Sequence, residues 1–240
     1  MNFKFNKTTY TFEIKLVPAV STLTALIILL SLCAWQVKRL FWKTDLIQTR
    51  IERFESFSRP LDEIKKPSEH EFEKVTLTGE FMNDNEFFMP ALSKRGNNGF
   101  HILTPFKSVR DEIYIFDRGW VPTARKEKKN RINNMVEGIN FVEAVIRTPG
   151  RKGKYQPDND VAGNYWFFVE PSKMSEYSGI NFEETYYLEA VNNGPGGSPL
   201  GGQTRIYIRN NHLQYAITWF LIACSLIGVF LAASIKKLEK

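Results

Sequence analysis

The sequence predicts a membrane α+β protein in which two transmembrane helices flank a mainly antiparallel β domain, arranged as a sheet or small open barrel. Two uncharged apolar runs, Leu16 to Ala34 and Leu213 to Ile235, carry the helical half of that reading. Each matches the ~30 Å of a bilayer's hydrocarbon at ~1.5 Å of helix rise per residue. Between them, short alternating segments are broken by glycine, proline and asparagine, which is the texture of strands and turns. The composition, 43% AVILMFWYC and 24% charged over 240 residues, is otherwise that of an ordinary globular chain. It excludes a disordered acidic tail, a collagen-like repeat and a disulfide miniprotein.

Taken in order, residues 1–15 form a short tail and 16–35 the first span. Residues 36–212 form a β-rich central domain, 213–235 the second span and 236–240 a second tail. The first span does not read as a cleaved signal peptide, because Cys33-Ala34-Trp35-Gln36 lacks a small-x-small cleavage pattern. Residues 1–15 carry Lys4, Lys7, Lys15 and Glu13 but no arginine, so a mitochondrial transit peptide fits poorly. The bacterial inner membrane is the expected address, ahead of the mitochondrial inner membrane. Lysine and arginine nearly balance on the two sides of the spans and do not choose an orientation. Long domains translocate largely regardless of charge, so the tails are expected to be cytoplasmic and the central domain periplasmic.

Helical spacing continues past the first span. Trp35, Arg39 and Trp42 fall at i, i+4 and i+7, and Ile47, Ile51 and Phe54 follow, predicting a helical extension over 36–57. Arg59-Pro60 ends it. Strands are expected at 74–78, 86–89, 100–106, 112–117, 139–147, 165–169, 184–191 and 204–208, with a short helix at Pro171–Ser178. The glycine- and proline-rich stretch 192–202 has no GK[ST] and no strand–loop–helix context, so it reads as a mobile loop rather than a phosphate cradle.

The net charge of +6 raises the question of nucleic acid. The one dense basic run, 125–131, has no aromatic residue interleaved as a base-stacking platform requires. It reads as a solvated loop, with anionic membrane lipid headgroups or an acidic partner, rather than nucleic acid, as the alternative contact. Cys33 and Cys224 both lie in the spans, so the central domain has no disulfide, no CxxCH and no thiolate metal site. There is also no HExxH, no GxSxG and no P-loop, and the chain does not read as an enzyme.

Of three histidines, His70 reads as a surface residue and His101 as a hydrogen-bonded strand residue. His212 stands directly before the second span, where Asn210 or Asn211 is placed to cap the helix. His212, Tyr215 and Trp219 share one helical face. The first span brings Trp35, Gln36, Arg39 and Trp42 to the same membrane level, and Arg209 precedes the second. Two readings follow. One is an aromatic belt with interfacial cations. The other is a haem site, with His212 as axial ligand to the iron, aromatic walls, and Arg39, Arg209 or Arg118 facing the propionates.

Four segments carry a family resemblance: Trp35-Gln36-Val37-Lys38-Arg39-Leu40, Gly99 to Pro105, Arg118-Gly119-Trp120-Val121-Pro122, and His212 through Phe220. Together, in this order between two spans, they resemble the Surfeit-locus cytochrome c oxidase assembly family over nearly the whole chain. The resemblance implies an inner-membrane protein that assists haem–copper oxidase biogenesis by presenting haem a to the catalytic subunit. It implies that the family's haem-associated histidine falls on His212, with transient haem a as the cofactor. Haem a synthase is then a second possible partner. A cofactor-free scaffold for oxidase assembly intermediates is the alternative the resemblance leaves open.

Overall fold

The computed structural model describes residues 2–5, 8–93, 95–150 and 152–237, so parts of both expected tails, including Lys7 and Lys240, lie outside the described residues. In chain order the strands and helices are β1 (Asn2–Phe5), β2 (Thr8–Phe12), α1 (Leu16–Glu55), β3 (Arg59–Pro60), β4 (Lys74–Phe81), β5 (Phe87–Leu92), β6 (Asn98–Ser108) and β7 (Ile113–Pro122). Then follow β8 (Ile139–Arg147), α2 (Pro171–Ser178), β9 (Tyr187–Ala190), α3 (His212–Ala233) and β10 (Ile235–Lys237). They divide into two compact units, 1–48 with 207–240, and 49–206.

The first unit is helical. Both α1 and α3 are long and apolar enough to cross a membrane. Pro18 sits in the first turn of α1, where a missing N–H costs nothing. Leu23, Ile27 and Ile28 of α1 and Leu213, Phe220 and Leu221 of α3 are exposed. The residues that α3 buries are small ones, Ala216 and Ala223. Small side chains let helix backbones approach closely, the usual basis of helix pairing in lipid. The Cys33 thiol donates to the Ala216 carbonyl at 3.4 Å, marking that contact. Beyond the helices, β1, β2 and β10 form a three-stranded antiparallel sheet, tied by the Lys236–Glu13 ion pair.

The second unit is a closed ring. β4 pairs with β8 over seven residue pairs, β8 with β9 over four, and β7 with β6 along most of their length. A parallel step, Phe116–Leu188 and Asp117–Glu189, joins β7 to β9. The ring shuts where β4 meets β6 at Gly79–Ser108, Glu80–Lys107 and Phe81–Phe106. Glycine makes that seam possible: a Cβ at residue 79 would lie 2.2 Å from the Lys107 carbonyl oxygen. The domain is therefore a small five-stranded barrel, mainly antiparallel as the sequence predicts and closed at that seam, with one parallel pairing within the ring. β5 extends the sheet beyond β6, and β3 lies parallel to β4.

Two apolar clusters fill the unit. Val75, Leu77, Phe106, Tyr114, Phe116, Ile146 and Leu188 occupy one, which holds the T-shaped and tilted rings of Phe81, Phe106 and Phe116. Phe87, Leu103, Ile115, Trp166, Met174 and Phe182 form the other, which takes in Met174 of α2. Alternation along β7 divides its side chains between the two, Tyr114 and Phe116 to the first and Ile115 to the second.

Three sequence expectations give way. The 165–169 segment forms no strand, because the Asn159 carboxamide oxygen accepts the Phe167 and Phe168 N–H groups that a neighbouring strand would have taken. The 204–208 segment also forms no strand. The Thr204 hydroxyl donates instead to Glu189 at 2.6 Å. The 192–202 stretch is tied down rather than loose. Trp120 and Leu200 exchange both backbone hydrogen bonds, Gly194 N–H reaches Pro199 O, and Gly202 N–H reaches Ala190 O.

Candidate cofactor site and a buried charge cluster

His212 is the first residue of α3. Its Nδ1 lies 2.6 Å from Gln36 Oε1, and Gln36 is the buried residue of α1, 9% exposed. With a carboxamide oxygen as partner, Nδ1 is the donor; the neutral ring that makes this bond has Nε2 as its acceptor nitrogen. That is the arrangement of a metal-ligating imidazole, whose second nitrogen is fixed by an outer hydrogen bond. Trp35 meets the imidazole edge-on, with centroids 6.4 Å apart and planes at 88°. The Arg39 guanidinium stacks over Trp42 at 4.3 Å. Helical arithmetic puts His212, Ala216, Trp219 and Ala223 on one stripe, and places Tyr215 on its flank, 53% exposed.

The structure thus brings His212, Trp35 and Gln36 together, and pairs Arg39 with Trp42. Tyr215, Trp219 and Arg209 make no hydrogen bond, ion pair or ring contact with His212 among the described residues. The expected asparagine cap is absent. Asn211 occupies the capping position at φ −103°, ψ 10°, away from the extended backbone a capping side chain uses, and makes no such bond. Asn210 turns its amide to Thr44 Oγ1 at 3.3 Å, leaving its own Oδ1 buried without a partner among the described residues. The arrangement therefore consists of an imidazole held by a carboxamide with an indole beside it, while the Arg39 guanidinium rests on Trp42. Gln36, visible in the sequence next to Trp35, gave no sign of orienting the histidine.

In the barrel unit, His101 Nδ1 lies 2.6 Å from Asp117 Oδ2, and Asp117 Oδ1 accepts the Gly119 N–H at 2.8 Å. Burial opposes charging of His101, but the Asp117 carboxylate outweighs it and holds the imidazole above its ordinary pKa of 6.5, with Glu189 adding and Arg205 subtracting. A raised pKa in the folded state means stability fully present below the unfolded value and lost as pH rises through the folded one. His101→Gln is expected to flatten that decline. Denaturant titrations from about pH 5 to about pH 9 read it, and a wild-type stability rising across the window would contradict it.

The same unit holds a buried charge cluster. Arg118, Arg131 and Glu86 are 4%, 2% and 9% exposed. Arg131 forms an ion pair with Glu86 Oε2, while Arg118 stands 4.0 Å from Glu86 Oε1, which has no hydrogen-bond partner among the described residues. Arg118 donates to Asn83 Oδ1 and Asn134 O, both at 3.1 Å, and stacks on Phe81 at 4.7 Å. Burial pushes the Arg118 guanidinium down to about 10; Glu86 resists and Arg131 assists. The basic run 125–131 is therefore not a solvated loop throughout. Arg131 is buried, Lys128 pairs with Asp84, and Lys126 Nζ sits among Phe88, Phe100 and Tyr165 at 4.6, 5.4 and 4.3 Å. These aromatics come from distant segments, which is why a scan for interleaved ones misses them.

In sequence order, a small closed barrel falls between two helices long and apolar enough to cross a membrane, and a histidine of the second helix bonds to a glutamine of the first, which defines the class of protein. The SURF1 family model matches residues 23–224, and the chain belongs to the SURF1 family. It is similar to Surfeit locus protein 1 of Takifugu rubripes, 30% identical over 225 residues covering 85% of this chain and 92% of that protein. It is also similar to the SURF1-like proteins of Rickettsia bellii, 29% identical over 88% of both chains, and Rickettsia prowazekii, 30% identical over 87% and 86%.

Proposed function

We propose that this protein is an assembly factor for a haem–copper cytochrome c oxidase that presents haem a to the catalytic subunit. In this reading it sits in a bacterial inner membrane with the barrel on the periplasmic side. One observation carries the proposal: the Gln36 carboxamide holds the His212 imidazole at Nδ1, and in the neutral ring the opposite nitrogen, Nε2, would donate to iron. Trp35 forms a wall beside it, and Tyr215 and Trp219 extend the aromatic surface along α3. Arg39, which forms no ion pair among the described residues, and Arg209 supply cations for propionates. The haem is cargo, supplied by haem a synthase, so it is held loosely enough to be released. Its iron does its redox chemistry in the oxidase.

The test is the visible spectrum of the detergent-purified protein from cells making haem a. A Soret band is expected, lost in His212→Ala. Gln36→Leu, which removes the orienting acceptor, is expected to weaken haem retention about 10–100-fold, the usual scale for such outer partners. A band unchanged in His212→Ala removes His212 as ligand. Haem-free protein that still crosslinks to the catalytic subunit overturns haem presentation in favour of a scaffold.

A further inference from the structure

A cavity of about 210 Å³ opens in the barrel unit, and Arg118 forms part of its wall. The charge there is unbalanced. Two buried guanidinium groups share one carboxylate, and Arg131 holds that carboxylate more closely than Arg118 does. Arg118 spends two of its five N–H groups on neutral oxygens, from Asn83 and Asn134. A cation in so little water is costly unless an anion answers it. We propose that this cavity is a binding site for a carboxylate carried on an apolar body, with Arg118 as its anchor.

The lining narrows the ligand class. Phe81, Phe116 and Ala190 provide an apolar wall, and Asn140 and Asn193 add neutral amides. Glu143 is the acid on the lining; its oxygens are taken by the Ser58 hydroxyl and the Asn192 amide. The Glu143 carboxylate on the same lining repels multiply charged anions, which favours a monoanion over a phosphate dianion. The planar guanidinium fork matches a carboxylate in particular.

Benzoate and benzyl alcohol, alike in shape and different in charge, make the test by calorimetric titration into the full chain in detergent. Benzoate is expected to bind saturably, with benzyl alcohol at least tenfold weaker. Ala190→Leu fills the cavity without touching Arg118, and Asn193→Trp obstructs it from an exposed position; each is expected to abolish benzoate binding. Arg118→Lys keeps the charge but loses the fork, and should bind about tenfold more weakly. The proposal falls if wild-type protein shows no saturable benzoate binding or binds the alcohol equally well. Undiminished binding in folded Ala190→Leu or Asn193→Trp also sinks it.

Discussion

Replacing Glu86 by glutamine is expected to cost about 3–5 kcal/mol of stability, because it leaves two buried guanidinium groups without a counter-charge. Arg118 and Arg131 are almost fully enclosed, and Glu86 is the carboxylate between them. Water cannot take over the role at such exposures. Guanidinium denaturation of the purified protein, followed by the fluorescence of the fully buried Trp166, measures the loss. Adding Arg131→Met to Glu86→Gln should recover part of it, since one of the stranded charges is then gone. A loss below about 1 kcal/mol for Glu86→Gln alone would show that the charges are solvated after all.

Gly119→Ala is expected to be nearly as damaging. Residue 119 has φ +112°, and a Cβ there would stand 2.1 Å from the Leu200 carbonyl oxygen. The carbonyl cannot retreat freely, because Leu200 O accepts the Trp120 N–H at 2.9 Å and Trp120 O accepts the Leu200 N–H at 2.8 Å. Backbone strain of about 1–3 kcal/mol adds to the weakening of two hydrogen bonds worth about 1 kcal/mol each. The sum, about 3–5 kcal/mol if both bonds are lost, corresponds to a Tm lower by roughly 6–20 °C. Differential scanning calorimetry decides it, and an unchanged Tm would mean that the 192–202 stretch yields without cost.

What the sequence made legible is what local chemistry determines. Uncharged runs announce α1 and α3, the alternation Ile139–Arg147 announces β8, and Pro171 at a helix start announces α2. Barrel closure was not legible, because it rests on Gly79 meeting Lys107 and Ser108 across the sheet, and no periodicity encodes that meeting. The 165–169 segment has strand composition, but a single side chain, Asn159, outcompetes any strand partner for its N–H groups. β1, β2 and β10 went unread because lysine-bearing tails resemble solvent-facing ends. The candidate site divides in the same way. His212, Trp35 and Arg39 stand out by type and spacing, whereas Gln36 acquires meaning only when the second helix lies beside it. Glu86 and Arg131, forty-five residues apart, become a pair only through the fold.

The sheet that forms the ring has two outer borders, and each contains a proline: Pro60 in β3 and Pro90 in β5. Proline offers no N–H to an incoming strand. Along β5 the Phe88 carbonyl is also already taken, by the Trp166 N–H at 2.9 Å. A chain so finished gives little backbone for another polypeptide to zip onto. Such a barrel is left to meet other proteins through its side chains, with its backbone edges closed to strand exchange.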